Sequence, residues 1–278
     1  MKILSRYTLA DVAGTKISKI DVYSPDIAKK AQAGQFVVIM ISAKGERVPL
    51  TIVDADKKNG SITLIFQELG FTSKLLGKMS AGDSLYAIVG PLGHATEIKN
   101  YGKVILVGGG VGIAEIYPVA KALREAGNHI TTILGGRTTK FLILSDELRA
   151  ISDDFYTTTD DGSAGLKGFT TDVLDDLLKK QKYDLVYSVG PIPMMRSSSS
   201  VTAKYQIKTI VSLNTIMLDA TGMCGCCRVS IAGKTMFSCV DGPEFDAHQI
   251  DWDELIKRNR IYEDKEKHIC ELNKILWT

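Results

Sequence analysis

The stretch from Lys103 to Lys204 most narrows what this chain can fold into. Apolar runs at Lys103–Val107, His129–Leu134, Phe155–Thr159 and Asp184–Val189 alternate with helical patterns at Ile113–Ala126, Leu142–Ile151, Thr170–Gln181 and Pro193–Lys204, and one more strand follows at Ile207–Leu213. Continuous apolar strands spaced by helices predict βαβ units and a parallel sheet. Each strand ends in punctuation suited to a ligand. Gly108-Gly109-Gly110-Val111-Gly112 follows the first, Gly135-Gly136-Arg137 the second, Asp160-Asp161-Gly162 the third, and Gly190-Pro191-Ile192-Pro193-Met194-Met195 the fourth. Open α/β sheets bind ligands at these carboxyl ends, where glycines admit a phosphate and a helix N-terminus favours its charge. The spacing is not the G-x-G-x-x-G of the dinucleotide fold, and a ligand-free tight turn is the bland alternative.

Upstream, residues 1–98 read differently. Lys16–Tyr23, Gln35–Ser42, Arg47–Asp54, Ser61–Glu68 and Ser84–Val89 are short strands at close intervals, which suggests an antiparallel barrel. Gly70–Leu76 interrupts with one helical piece. Arg47, Pro49, Leu50 and Thr51 place a cation and a hydroxyl where a phosphate and a flavin can be held; a plain surface arginine is the competing reading.

Downstream, Asp219–Cys239 gathers four of the five cysteines. Asp219-x4-Cys224-x2-Cys227, followed by Cys239, copies the plant-type 2Fe-2S spacing with Asp in the first slot. Cys226 falls outside that spacing, as a bystander. A structural zinc is the alternative, although zinc thiolates usually come as paired C-x-x-C units or with histidines. Cys270 reads as an ordinary free thiol, and His94, His129, His248 and His268 as structural or solvated residues.

Length and charge bound the rest. At 278 residues, three units fit: a barrel at 1–98, a nucleotide-binding α/β unit at 99–214, which the resemblance below makes NAD(P)-binding, and a cluster segment with its tail at 215–278. A net charge of +2, from 34 basic and 32 acidic residues, leaves no field for nucleic acid. The most apolar window, Val104–Ala120, holds four glycines and Glu115, so no membrane span is expected. The N-terminus carries no signal-peptide pattern, and an odd, clustered set of cysteines suits a reducing compartment. A cytoplasmic location is expected.

The order R-x-P-L-T, G-G-G-x-G, G-P-x-P-M-M, D-x-T-G-M-C-G-x-C and C-V-D-G-P resembles the small (alpha) subunits of electron-bifurcating NADH-dependent ferredoxin:NADP oxidoreductases, also described as sulfide dehydrogenase beta subunits. It is similar, more distantly, to the electron-transfer subunits of dihydroorotate dehydrogenase B. The resemblance implies a ferredoxin reductase-like FAD-binding barrel, an NAD-binding α/β domain and a C-terminal 2Fe-2S segment. By resemblance, Arg47, Pro49, Leu50 and Thr51 hold FAD, and Ile65, Phe66 and Gln67 line it. Thr72 and Ser73 receive its pyrophosphate, with Thr72 standing where the dihydroorotate relatives have Gly. Gly109, Gly110, Gly112, Arg137 and Asp160 take NAD(H), and Gly190 and Met194 belong to the same site. Asp219 separates the bifurcating group from the dihydroorotate group, which has Cys in that slot. Met223 and Val240 are expected to keep water from the cluster. No side chain is expected to act as acid or base, because the cofactors carry the chemistry. The resemblance further implies a heterodimer with a larger subunit bearing flavin and 4Fe-4S clusters, and ferredoxin reached through that complex. A zinc-stabilised nucleotide-binding regulator is the rival from another class.

Overall fold

The computed structural model describes residues 1–265 and 268–269; Cys270, read above as a free thiol, lies outside the described residues. The chain opens with β1 (Ile3–Val12) and β2 (Thr15–Tyr23), then α1 (Pro25–Lys30), β3 (Phe36–Met40), β4 (Val48–Asp56), β5 (Ser61–Gln67), α2 (Phe71–Lys78) and β6 (Ala87–Leu92). These six strands form one antiparallel sheet in the order β1-β2-β5-β4-β3-β6. Alternation puts Ile20, Val22, Ile62 and Leu64 inside, all at 0 % exposure. The sheet closes on itself just before β6. Ile3 N–H donates to Asp83 O at 2.8 Å, and Leu85 N–H donates to Met1 O at 2.8 Å. Closure removes the free edge that would otherwise template aggregation.

The second sheet is built from β7 (Lys103–Gly109), α3 (Ile113–Glu125), β8 (His129–Gly136), α4 (Ser145–Ile151), β9 (Asp154–Thr159), β10 (Leu166–Lys167), α5 (Thr170–Lys180), β11 (Leu185–Val189), α6 (Ile192–Lys204) and β12 (Thr209–Ser212). Val104, Ile105, Leu106 and Val107 are each 0 % exposed, because helices cover both faces. Burying each such side chain contributes roughly 1.5–3 kcal/mol. α3 presents Ile113, Ile116, Ala120 and Leu123 to that core at helical spacing. Two details depart from the sequence expectation. The helix expected from Leu142 begins at Ser145, after a 3-10 turn at Thr139–Phe141, and the short α1 was not foreseen at all.

The last segment supplies the hairpin β13 (Arg228–Ile231) and β14 (Lys234–Phe237), then β15 (Glu244–Asp246) and α7 (Trp252–Asn259). β15 joins the large sheet antiparallel to β12, giving the order β10-β9-β8-β7-β11-β12-β15. The expected purely parallel sheet is therefore mixed. Its antiparallel strand comes from the cysteine segment, which is built into the α/β unit rather than appended to it.

Candidate functional site

The strand order places a switch point between β7 and β11, the two strands from which the chain winds off in opposite directions. A cavity of about 490 Å³ opens there, bordered by Gly109, Gly110, Gly136, Arg137, Asp160 and Met194, and by Gln67 of the barrel. Crevices at such points take nucleotides. The glycines divide by role. Gly110 has φ +58 and nothing within 4 Å of where a Cβ would stand, so its backbone is open to a ligand. At Gly112 a Cβ would come within 2.7 Å of Val189 O, and at Gly190 within 2.6 Å of Met194 Cε. Those two glycines serve close packing of strand and helix. Sequence reasoning missed Ile17 and Thr15 on the barrel side, and Phe169, 68 % exposed at the cavity border. An exposed phenylalanine after Gly168 was the available signal.

Arg137 is exposed, and no hydrogen bond or ion pair engages its guanidinium among the described residues. The same holds for Arg47, which directly precedes β4. Of these two unengaged cations Arg137 borders the cavity, and a free guanidinium there suits an anionic ligand. Pro49, Leu50 and Thr51 lie in succession along β4; Leu50 packs on the barrel core, while Thr51 Oγ1 donates to Glu115 Oε2 of α3 at 3.2 Å. Ile65 and Phe66 are buried in β5, and Gln67 ends it. Thr72 is buried and bonded to the Glu46 carboxylate. Ser73 Oγ accepts from the amides of Leu69 at 2.9 Å and Gly70 at 3.0 Å, so in this form it caps α2.

In the cysteine segment, Cys227 and Cys239 stand with their sulfurs 3.2 Å apart, at 2 % and 1 % exposure. Burial pushes the Cys239 thiol up to about 12. A thiolate there therefore calls for a cation, which is the condition a soft metal meets. Asp219 Oδ1 accepts from the Thr221 amide at 2.9 Å and Oδ2 from the Cys224 amide at 2.8 Å; these backbone donors hold its carboxyl below the usual range. Cys224 is exposed, and Cys226 sits beside it. Among the described residues no three His, Cys, Asp or Glu side chains already stand in a metal-holding arrangement. One sulfur pair is formed, while Asp219 and Cys224 adjoin each other through the backbone. The donor set suits an iron–sulfur cluster: thiols and one carboxylate on a glycine-bearing loop. Met223 and Val240, expected to keep water from the cluster, are 89 % and 40 % exposed.

The sulfur pair packs in one hydrophobic cluster with Phe36 and Val38 of β3. Phe36 is the register partner of Thr51 on β4. The cysteine segment thus rests against the barrel strand that neighbours the expected flavin strand. α7 secures the loop from the other side, since Arg258 donates to the carbonyls of Cys226 and Arg228, both at 3.2 Å.

Comparison with known proteins bears on each part. Residues 214–251 match the iron–sulfur cluster binding domain of dihydroorotate dehydrogenase B, and residues 106–200 match the oxidoreductase NAD-binding domain. The chain is 50% identical over 246 residues to the dihydroorotate dehydrogenase B (NAD(+)) electron transfer subunit homolog of Thermotoga maritima, covering 88% of this chain and 87% of that one. It is 42% identical over 277 residues to an uncharacterized protein of Clostridium beijerinckii, covering 95% and 91%. Among solved structures, a chain of an NADH-dependent reduced ferredoxin-NADP oxidoreductase, studied for flavin-based electron bifurcation, superposes with a TM-score of 0.91 at 46% identity, covering 97% of this chain and 96% of that one. The architecture is ferredoxin reductase-like. Among the described residues no helix is long and apolar enough to cross a membrane.

Proposed function

The chain belongs to the family of dihydroorotate dehydrogenase B electron-transfer subunits and their homologues, and from that premise we propose that it passes electrons between NAD(H), FAD and a 2Fe-2S cluster as the small subunit of an electron-bifurcating ferredoxin:NAD(P) oxidoreductase. The observation that carries this reading is the packing of Cys227 and Cys239 on Phe36 and Val38. It sets the sulfur pair one strand away from Thr51, while the nucleotide cavity borders the same barrel at Thr15, Ile17 and Gln67.

When bound, the flavin supplies the conversion between two-electron hydride transfer and one-electron transfer. The chain's residues position and insulate. Gly110 admits the nucleotide backbone, and Arg137 meets its negative charge. Arg47 and the first turn of α2 take the flavin's phosphates, with Thr51, Ile65, Phe66 and Gln67 around its ring system. Asp219, Cys224, Cys227 and Cys239 hold the cluster. A carboxylate in the first slot is a harder ligand than a thiolate and alters the cluster's charge.

The exposed apolar collar of Leu218 (49 %), Met223 and Val240 beside the cysteine loop supports a partner there, proposed as a larger subunit with flavin and 4Fe-4S clusters. Ferredoxin is reached through that subunit. The names of the curated relatives favour a second reading, the electron-transfer subunit of a dihydroorotate dehydrogenase; Asp219 argues for the first. We further propose the unit boundaries 1–98, 99–214 and 215–278.

Anaerobic purification tests the reading. About two irons and one FAD per chain are expected. Cys226→Ser retains the iron and Cys227→Ser loses it. Asp219→Cys keeps a cluster with a shifted potential. Zinc in place of iron, or the reverse pattern in the two serine variants, contradicts the ligand set.

A further inference from the structure

Glu115 is the one charged residue in the apolar stretch Val104–Ala120, and it lies on the barrel-facing side of α3. Its carboxylate accepts from Thr51 Oγ1 of β4, and the Ser212 hydroxyl of β12 lies close enough to favour its charged form. Ser212 is the register partner of Glu244 on β15. Glu244 Oε1 accepts from Tyr187 Oη of β11 at 2.7 Å and from the Thr96 hydroxyl. Two carboxyl groups therefore share one pocket, framed by hydroxyls from four parts of the chain. Tyr187, 1 % exposed, faces both of them, and Tyr101 lies within reach of the charge of Glu244. Among the described residues no Lys, Arg or His pairs with either one. Lys121, further along α3, is engaged by Asp54 at 3.1 Å. The backbone keeps room for the pocket. Gly34, at φ +83, would place a Cβ 2.7 Å from Glu244 Oε1 and against the Thr96 hydroxyl.

Two crowded carboxylates without a cation cannot both stay ionised at neutral pH without a large penalty. Burial pushes Glu115 up to about 7, and burial raises Glu244 as well. The pocket is thus suited to one shared proton and one vacant carboxylate.

We propose that Glu115 and Glu244 form a proton-holding pair that serves the flavin strand, with the Thr51 hydroxyl as the relay. This rests on FAD lying along β4. The balance is simple. Hydride from NADH carries two electrons and one proton, and an iron–sulfur centre takes electrons only. One proton per NADH must therefore leave the flavin side. The Thr51 O–H bond breaks as an O–H bond forms on Glu115, and Thr51 regains a hydrogen from the surplus proton. The pair goes from one net negative charge to none, and reversal returns the proton. Glu115 and Glu244 are positioning residues in this scheme, since they act through Thr51.

Infrared difference spectroscopy of the intact holoprotein, oxidised against NADH-reduced, in light and heavy water, tests it. The wild type is expected to show a deuterium-sensitive protonated-carboxyl band at about neutral pH whose amplitude changes with reduction. Glu115→Gln removes that band, and Glu244→Gln moves its titration toward lower pH. Thr51→Val keeps the static band while its response to reduction slows at least roughly tenfold, the scale of a lost proton relay. Absence of a protonated carboxyl in the wild type, or an unchanged band in Glu115→Gln, overturns the pair. An unslowed response in Thr51→Val overturns the relay. Flavin absorbance is read in the same samples. A protein without FAD defeats the flavin assignment, while the static band still decides the pair.

Discussion

At the scale of residues, Glu115 makes stability depend on pH in a direction fixed by its environment. Its carboxyl is raised from 4.5 to about 7 in the folded chain by burial. Between those values the folded state holds a proton that the unfolded state has released. Stability therefore falls as pH rises through that window, by at most about 3 kcal/mol. Glu115→Gln abolishes that part of the slope, so denaturant midpoints of variant and wild type converge in acid, separate as pH rises from about 4.5 to about 7, and stay apart above that in the variant's favour. Arg137 makes a separate prediction. Its guanidinium is unengaged at the cavity border, and a charge-assisted hydrogen bond contributes about 1.5–3 kcal/mol. Arg137→Ala is expected to weaken NADH binding by about 10- to 100-fold in a direct titration, with the melting temperature nearly unchanged.

At the scale of elements, β15 ties the cysteine segment to the α/β sheet through three residues. Phe245 is its anchor, packed with Met195, Val211 and Ile250. Phe245→Ala is expected to cost about 3–5 kcal/mol. Urea unfolding measures that loss, and iron release is expected to precede the main transition. β15 was not legible in the sequence, because Glu-Phe-Asp shows no periodicity over so short a span. The hairpin of β13 and β14 was hidden likewise among glycines and cysteines. The parallel strands were legible because burial on both faces leaves continuous apolar runs such as Val104–Val107. Gly109, Gly110 and Gly136 of the glycine turns line the cavity, but sequence could not separate Gly110, open to a ligand, from Gly112, which packs against Val189. Glu115 stood out in its apolar window, but its partner Glu244 lies far along the chain, and only tertiary structure brings them together.

At the scale of the whole molecule, two devices meet around the β3–β4 pair, and the nucleotide cavity adjoins the same barrel at β2 and β5. The nucleotide cavity opens at the switch point, the buried sulfurs pack on β3, and the carboxyl pair backs onto β4. Thr51 bonded to Glu115, and Asp54 paired with Lys121, fix the barrel to α3. That arrangement accounts for an electron path running through one chain: nucleotide to flavin to cluster. The most direct test is an anaerobic NADH titration of the purified holoprotein, followed by flavin absorbance and by electron paramagnetic resonance. The account predicts bleaching of the flavin together with a reduced 2Fe-2S signal that Cys239→Ser lacks. A flavin that bleaches while an iron-replete cluster stays oxidised on every timescale, with no partner's cluster able to draw the electrons onward, would contradict it.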